Sequence, residues 1–266
     1  MSTLEPAFRV VPRLGLGRSW RLVERNLASS RDSWLVFVSG FFEPLFYLLA
    51  LGVGVGALVG ELELGGEAVS YRDFVAPALL AASAMNGPLY ESGNVFFKLN
   101  YAKTYEGVLA TPLTVRDVAL GELIYTLMRG TVYAVGFVSV MLVLGVLNSA
   151  WAVLAIPAAL LVSAAFAAAG VFSATLLRTW ADFAFVEVAT LPMFLFSATF
   201  VPADEYPEIV TWLLPLTPLF HGVELLRALT LGGVGWLALV NVAYLVAMTI
   251  VFLVLADRRL TKLLPR

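Results

Sequence analysis

The chain has 266 residues, 60% of them hydrophobic and 14% charged, with a mean hydropathy of +0.88; an ordinary globular domain is about 25% charged. A net charge of -2 leaves no electrostatic footprint for nucleic acid, and the absence of cysteine excludes disulfides, thiolate metal sites and cysteine nucleophiles. Such a composition places the chain in a bilayer, as an all-α polytopic membrane protein.

The first stretch, MSTLEPAFRVVPRLGLGRSW, has no compact apolar run followed by a small-residue cleavage site, so residues 1–33 read as a retained segment and not as a signal peptide. On a helix through GRSWRLVERNLASSRDSW, Trp20, Val23, Leu27 and Trp34 cluster on one side and Arg18, Arg21 and Arg25 on another, the pattern of a helix lying in the membrane plane. A basic anchor that sets topology and a contact with a second protein are both compatible with it. Residues 34–266 form the membrane domain. Six apolar stretches there approach the ~20 residues a spanning helix needs: 34–58, 74–97, 119–147, 151–177, 183–201 and 234–256. Glycines such as Gly52 and Gly56 in the first, and the small residues of SAAFAAAGVFSA in the fourth, permit close helix packing.

The basic residues orient these spans. With the N-terminus inside, that side receives Arg9, Arg13, Arg18, Arg21, Arg25 and Arg31, then Lys98, Lys103 and Arg116, then Arg178, and finally Arg258, Arg259, Lys262 and Arg266, whereas the outside receives Arg72 and Arg227. Both termini are therefore expected in the cytoplasm. The acidic loop ELELGGEAVSYRD and the loop 202–233 fall outside.

Between the second and third spans lies FKLNYAKTYEGVLATPLTVRDVALGE, a polar interruption longer than a chain reversal requires. As a helix it places Tyr101, Tyr105, Val108 and Leu109 on one face, and Pro112 ends it. The pattern fits either a helix lying on the lipid headgroups or a docking surface for a cytoplasmic partner.

Ionisable residues within spans are costly and so mark structure or function. Glu43, Glu91, Arg129 and Glu187 all fall in the cytoplasmic half of the bilayer or near its middle. Glu91 ends the second span as Arg129 begins the third, so the two can neutralise each other; admission of a polar headgroup or sugar is the competing role. Glu43 precedes Pro44, which can kink the first span. The external run ADEYPEIVTWLLPLTPLFHGVELLRALTLGG is too broken by proline to cross as one helix and too apolar for a free loop, so two short helices dipping into the outer leaflet are expected. His221, Glu224 and Arg227 recur every third residue there and can form a ladder; the single histidine reads as structural.

KLNYAKTYEGVLATPLTVRDVALGE and LPMFLFSATFVPADEYPEIVTWLLPLTPLFHGVELLRAL resemble the two most recognisable segments of the type-2 ABC exporter permeases. The closest resemblance is to the branch that includes the nodulation-factor (lipo-chito-oligosaccharide) export permeases, with daunorubicin-resistance-type permeases as more distant relatives. It runs from about Trp20 to Leu264. The resemblance implies six spans, an amphipathic helix before the first, a re-entrant external segment before the sixth and a location in the bacterial inner membrane. It implies a coupling helix at residues 100–109, formed by Asn100, Tyr101, Lys103, Thr104, Tyr105, Glu106, Val108 and Leu109. Two copies or two related chains would pair, each docking an ATP-binding subunit.

A phosphate-cradling GxxxxGK[ST] run is absent, because no Gly-Lys pair occurs in the chain. ATP and Mg are thus expected in a partner subunit, with no cofactor bound here. The expected function is the permease half of an ATP-driven exporter moving an amphipathic lipid-linked, glycosylated or drug-like molecule outwards. A proton-coupled secondary transporter would instead use Glu43, Glu91 or Glu187, and an intramembrane enzyme would need motifs such as HExxH or GxSxG that are missing.

Overall fold

The computed structural model describes residues 16–30, 42, 45–64 and 66–264. Helix α1 (Leu16–Ser30) is followed by the apolar helix α2 (Leu45–Val59), which carries a π-helical turn over Ala50–Val55. A hairpin, β1 (Glu61–Leu64) and β2 (Glu67–Ser70), leads into α3 (Tyr71–Asn100). Next come α4 (Thr104–Leu109), α5 (Val115–Val143), α6 (Ala155–Ala174) and α7 (Phe183–Leu195). The chain ends in α8 (Glu208–Leu213), α9 (Pro218–Leu231) and α10 (Trp236–Leu263).

The hairpin departs from the all-helical expectation. Its antiparallel register pairs Glu61 with Ser70 and Leu64 with Glu67, and Gly66 turns at φ +88°. The alternating ELEL before a glycine pair is a period-two signal, hidden by reading the segment only as an acidic loop.

Among the described residues, three helices are long and apolar enough to cross a membrane, namely Val115–Val143, Ala150–Ala174 and Trp236–Leu263. Glu208–Leu216 and Pro218–Leu231 would add a fourth if counted as one span, but they meet at 89°. The other expected stretches differ for separate reasons. Much of the first lies outside the described residues. Helix α3 is 30 residues long but holds Pro77, Pro88 and several polar side chains. Helix α7 stops after 13 residues: Ala198 turns at φ +53° and its carbonyl accepts a 2.7 Å bond from Nη2 of Arg227, so this carbonyl is satisfied without a helix.

Helix α5 begins earlier than the apolar run because Thr114 and Asp117 form a reciprocal capping box. Helix α10 continues through its charged end, where Asp257 meets Arg116 at 3.4 Å and Leu260 is buried. The heart of the bundle is α3 against α6, brought close by small residues. A Cβ at Gly170 would lie 3.2 Å from the Pro88 carbonyl, and Ser163 Oγ donates to the Ala84 carbonyl at 3.1 Å. The small residues of α6 thus serve packing within this chain. Gly52 likewise faces Arg72, where a Cβ would come within 3.0 Å of Cγ.

Two cores result. The larger joins α3, α5, α6, α9 and α10, and the smaller, at the end of the bundle bearing most of the arginines and lysines, joins Leu22, Phe96, Tyr105, Val118, Val171 and Leu260.

Candidate functional site

The smaller core lies beneath the first loop. The expected single helix over 100–109 is broken: Tyr101 and Ala102 both donate to the Phe97 carbonyl, and Lys103 turns at φ +47° before α4 starts at Thr104. Asn100 therefore belongs to the end of α3, where its Nδ2 donates to the Phe96 carbonyl. The expected apolar face also divides. Tyr105 and Val108 are buried and Leu109 is half-buried, whereas Tyr101 is exposed beside Phe97. Lys103 and Glu106 point outward and lie 3.7 Å apart.

Tyr105 enters a buried polar network that draws on four helices. Its hydroxyl donates to Glu122 Oε1 at 3.0 Å. Lys98 Nζ donates to both carboxylate oxygens of Glu122, at 3.0 and 2.9 Å, and to Asn26 Oδ1 at 3.3 Å. Asn26 Nδ2 donates to Glu122 Oε2 at 3.1 Å. The Glu122 side chain is 1% exposed, so every bond to it is made out of water. Burial and the adjacent carboxylate push the Tyr105 phenol well above its ordinary pKa, which keeps it a neutral donor. Tyr105 is thus an internal peg for α4 and presents no surface to a partner.

Helix α1 completes this joint. It buries Ser19, Leu22, Val23 and Asn26 on α5, leaving Trp20, Arg21, Arg25 and Leu27 exposed. Ser19 Oγ approaches Asp117 at 3.4 Å, and Gly121 faces Leu22 so tightly that an added Cβ would lie 2.7 Å from Leu22 Cδ2 and 3.1 Å from the Ser19 carbonyl. Gly121→Ala should therefore lever α1 off α5 at a cost of about 1–3 kcal/mol. Limited trypsinolysis in detergent should show faster cleavage at Arg21 and Arg25, and unchanged cleavage would refute the tight contact.

Two turns deeper along the same helices, Arg129 Nη1 donates to Glu91, so the expected ion pair forms. Glu91 also accepts from Asn94 at 3.0 Å, and Arg129 donates to the Tyr133 hydroxyl at 3.2 Å. A cavity of about 20 Å³, room for one water, adjoins the pair beside Gly87, Thr126 and Ser163. The two ion pairs bridge α3 and α5 with opposite polarity, since α3 contributes Glu91 and Lys98 and α5 contributes Arg129 and Glu122. The other two charges expected near the membrane do not join them. Glu187 is exposed on α7, and Glu43 lies outside the described residues.

The external ladder has only two rungs. Arg227 meets Glu224 at 2.8 Å and lies over the Phe74 ring at 3.9 Å, whereas His221 turns away from Glu224. Its Nε2 lies 2.9 Å from the Pro215 carbonyl and its Nδ1 2.8 Å from Asn241, and the ring stacks on Tyr244. These partners hold α9 against α10, a structural role. Among the described residues no group of His, Asp and Glu side chains is arranged to hold a metal ion.

The polar joint at one end of an apolar helical bundle, a helix pair bent by 89° and the sequence itself point the same way. The family model described as ABC-2 type transporter matches residues 18–231. The chain belongs to the ABC-2 type transporter family. Among its relatives, Nodulation protein J of Bradyrhizobium diazoefficiens is 31% identical over 216 residues, covering 80% of this chain and 79% of the relative. Nodulation protein J of Rhizobium leguminosarum bv. trifolii is 30% identical over 216 residues, with 80% of each chain covered. That of Rhizobium meliloti is 27% identical over 221 residues, covering 82% and 83%. As an ABC-2 family permease, the chain is a multi-pass membrane transport subunit and not an enzyme. Asn26, Lys98, Tyr105 and Glu122 of the α1–α3–α4–α5 joint lie within the matched residues.

Proposed function

We propose that this permease subunit works in an ATP-driven exporter whose ATP-binding subunit docks on α4 and α1. The observation that carries this reading is the network of Tyr105, Glu122, Lys98 and Asn26, which ties α4 and α1 rigidly to α3 and α5. A push on α4 would reach the membrane through bonds that exclude water. Such bonds transmit displacement because a packed, fully satisfied network has few alternative arrangements. With no phosphate-cradling loop in this chain, ATP and Mg would sit in the partner.

In this reading the chain has six spans, with α7 extended by the unwound segment to residue 201, and the bent α8–α9 pair dips in from outside. Both termini face the cytoplasm, as the basic residues direct. The exposed apolar side of α7, with Phe185, Val188 and Leu191, and of α2 would meet lipid or a second permease copy or related chain. The cargo would be an amphipathic lipid-linked molecule of the lipo-oligosaccharide kind, in keeping with the nodulation relatives. Co-purification with the ATP-binding subunit, followed by mass spectrometry of the lipids and glycolipids that accompany it, tests partner and cargo together.

The docking face should be the outward side of α4. Glu106→Lys reverses an exposed charge without touching the network, so the protein should fold normally while ATPase association weakens about tenfold or more, the scale of a lost interface hot spot. Pull-down and substrate-stimulated hydrolysis measure this. Wild-type values for both would remove α4 as the docking surface.

A further inference from the structure

A second cavity, of about 630 Å³, lies between α6, α7 and α10, away from both ion pairs. Its walls are apolar and deformable, including Phe166, Phe185, Met193, Met248 and Phe252, and Pro218 at the start of re-entrant α9 closes its deep end. Its other end carries Arg178 and Asp182. The volume lies within the range of sites that hold small molecules.

The loop holding Arg178 lies at the same end as α4: Trp180 packs on Phe96 at 6.0 Å between ring centres, and Arg259 Nη2 reaches the Thr175 carbonyl at 3.5 Å. From Asp182 to Met193 the α7 axis rises about 16 Å. That is close to half of the ~30 Å hydrocarbon core, or one leaflet. Asp182 is committed to its own backbone, accepting from the N–H groups of Arg178 and Thr179 at 2.8 and 2.9 Å. Arg178 is exposed and forms no salt bridge among the described residues; its charge also acts on the neighbouring Asp182 carboxylate, but its guanidinium stays open to the mouth.

We propose that this cavity holds one acyl chain of an anionic phospholipid from the leaflet at the basic end of the bundle, with Arg178 on its phosphate. The lipid would fill the space between α7 and the rest of the bundle, where direct packing is sparse, and would set the position of α7. The site shares no lining residue with either ion pair or with α4.

The test uses full-length permease in nanodiscs containing phosphatidylglycerol with a diazirine near the end of one acyl chain, or the matching phosphatidylcholine. Photolabelling should fall on peptides that contain Met193, Met248 or Phe252, and phosphatidylglycerol should label more strongly. Arg178→Gln should reduce that preference about fivefold, the worth of one basic residue at an anionic surface. Ala169→Phe and Ala189→Phe, which fill the cavity from opposite walls, should each abolish the deep labels while labelling of exposed Val132 and Val135, midway along α5, persists as a control for folding. Deep labelling that survives both filling variants would overturn the site. Equal labelling by the two lipids, unchanged in Arg178→Gln, would overturn the role of Arg178 and with it the anionic headgroup.

Discussion

Lys98→Met should destabilise the permease by about 3–5 kcal/mol, because it leaves the Glu122 carboxylate buried without its counter-charge. The reverse change, Glu122→Met, should cost less. The Lys98 side chain is 18% exposed and can swing its ammonium toward water, whereas Glu122 at 1% has no such route. The double variant should recover most of the loss, since two methionines fill a similar volume without a solvation penalty. Denaturation in detergent measures all three. If the double variant regains stability but ATP hydrolysis no longer drives export, the network transmits motion as well as holding the fold. A double variant as unstable as the two single losses added together would show that the residues do not act as a pair.

Glu91→Gln and Arg129→Gln form a second cycle, deeper in the bundle. Each single change strands a charge among α3 and α5 side chains, where an uncompensated ion costs about 2.5–3.5 kcal/mol or more. Loss of folded yield is expected for both. Glu91→Gln/Arg129→Gln together should restore the yield, because two amides can share a hydrogen bond. Transport is then the deciding readout. Restored export assigns the pair to the fold alone, and absent export in a stable double variant assigns it to the cargo path beside the adjoining cavity. Because the lower ion pair remains intact in this double variant, α4 docking should be unaffected.

Much of this architecture was legible in the sequence because apolar periodicity and charge cost act locally. The apolar runs located α5, α6 and α10, but the T-x-x-D cap at Thr114, which starts α5 ahead of its apolar run, went unread until the structure showed it. Glu91 and Arg129 were recognisable as partners because two charges this close to a hairpin of spans have few other ways to be neutralised. The lower pair carried a signal that was missed. Lys98 follows Glu91, and Arg129 follows Glu122, at the same two-turn interval on helices that run in opposite directions. Lys98 and Glu122 were read only as the two ends of the polar stretch between the second and third spans, and neither residue alone distinguishes a surface charge from a buried pair.

By itself, then, the sequence determined the membrane setting, the family and the helices whose apolar content decides their fate. Only the tertiary structure decided which face of each short helix is inside. Tyr105 and Tyr101 sit four residues apart with the same side chain, yet one is an internal peg and the other exposed. The difference comes from the left-handed turn at Lys103 and from a carboxylate on α5, and burial depends on what a neighbouring helix offers. The same holds for α7, where the apolar run continues past Leu195 but the helix does not, because Arg227 claims the Ala198 carbonyl from another part of the chain. Hydrophobicity is a property of residues and can be summed along a sequence; hydrogen-bond partnership is a property of pairs, and distant pairs exist only once the helices have packed.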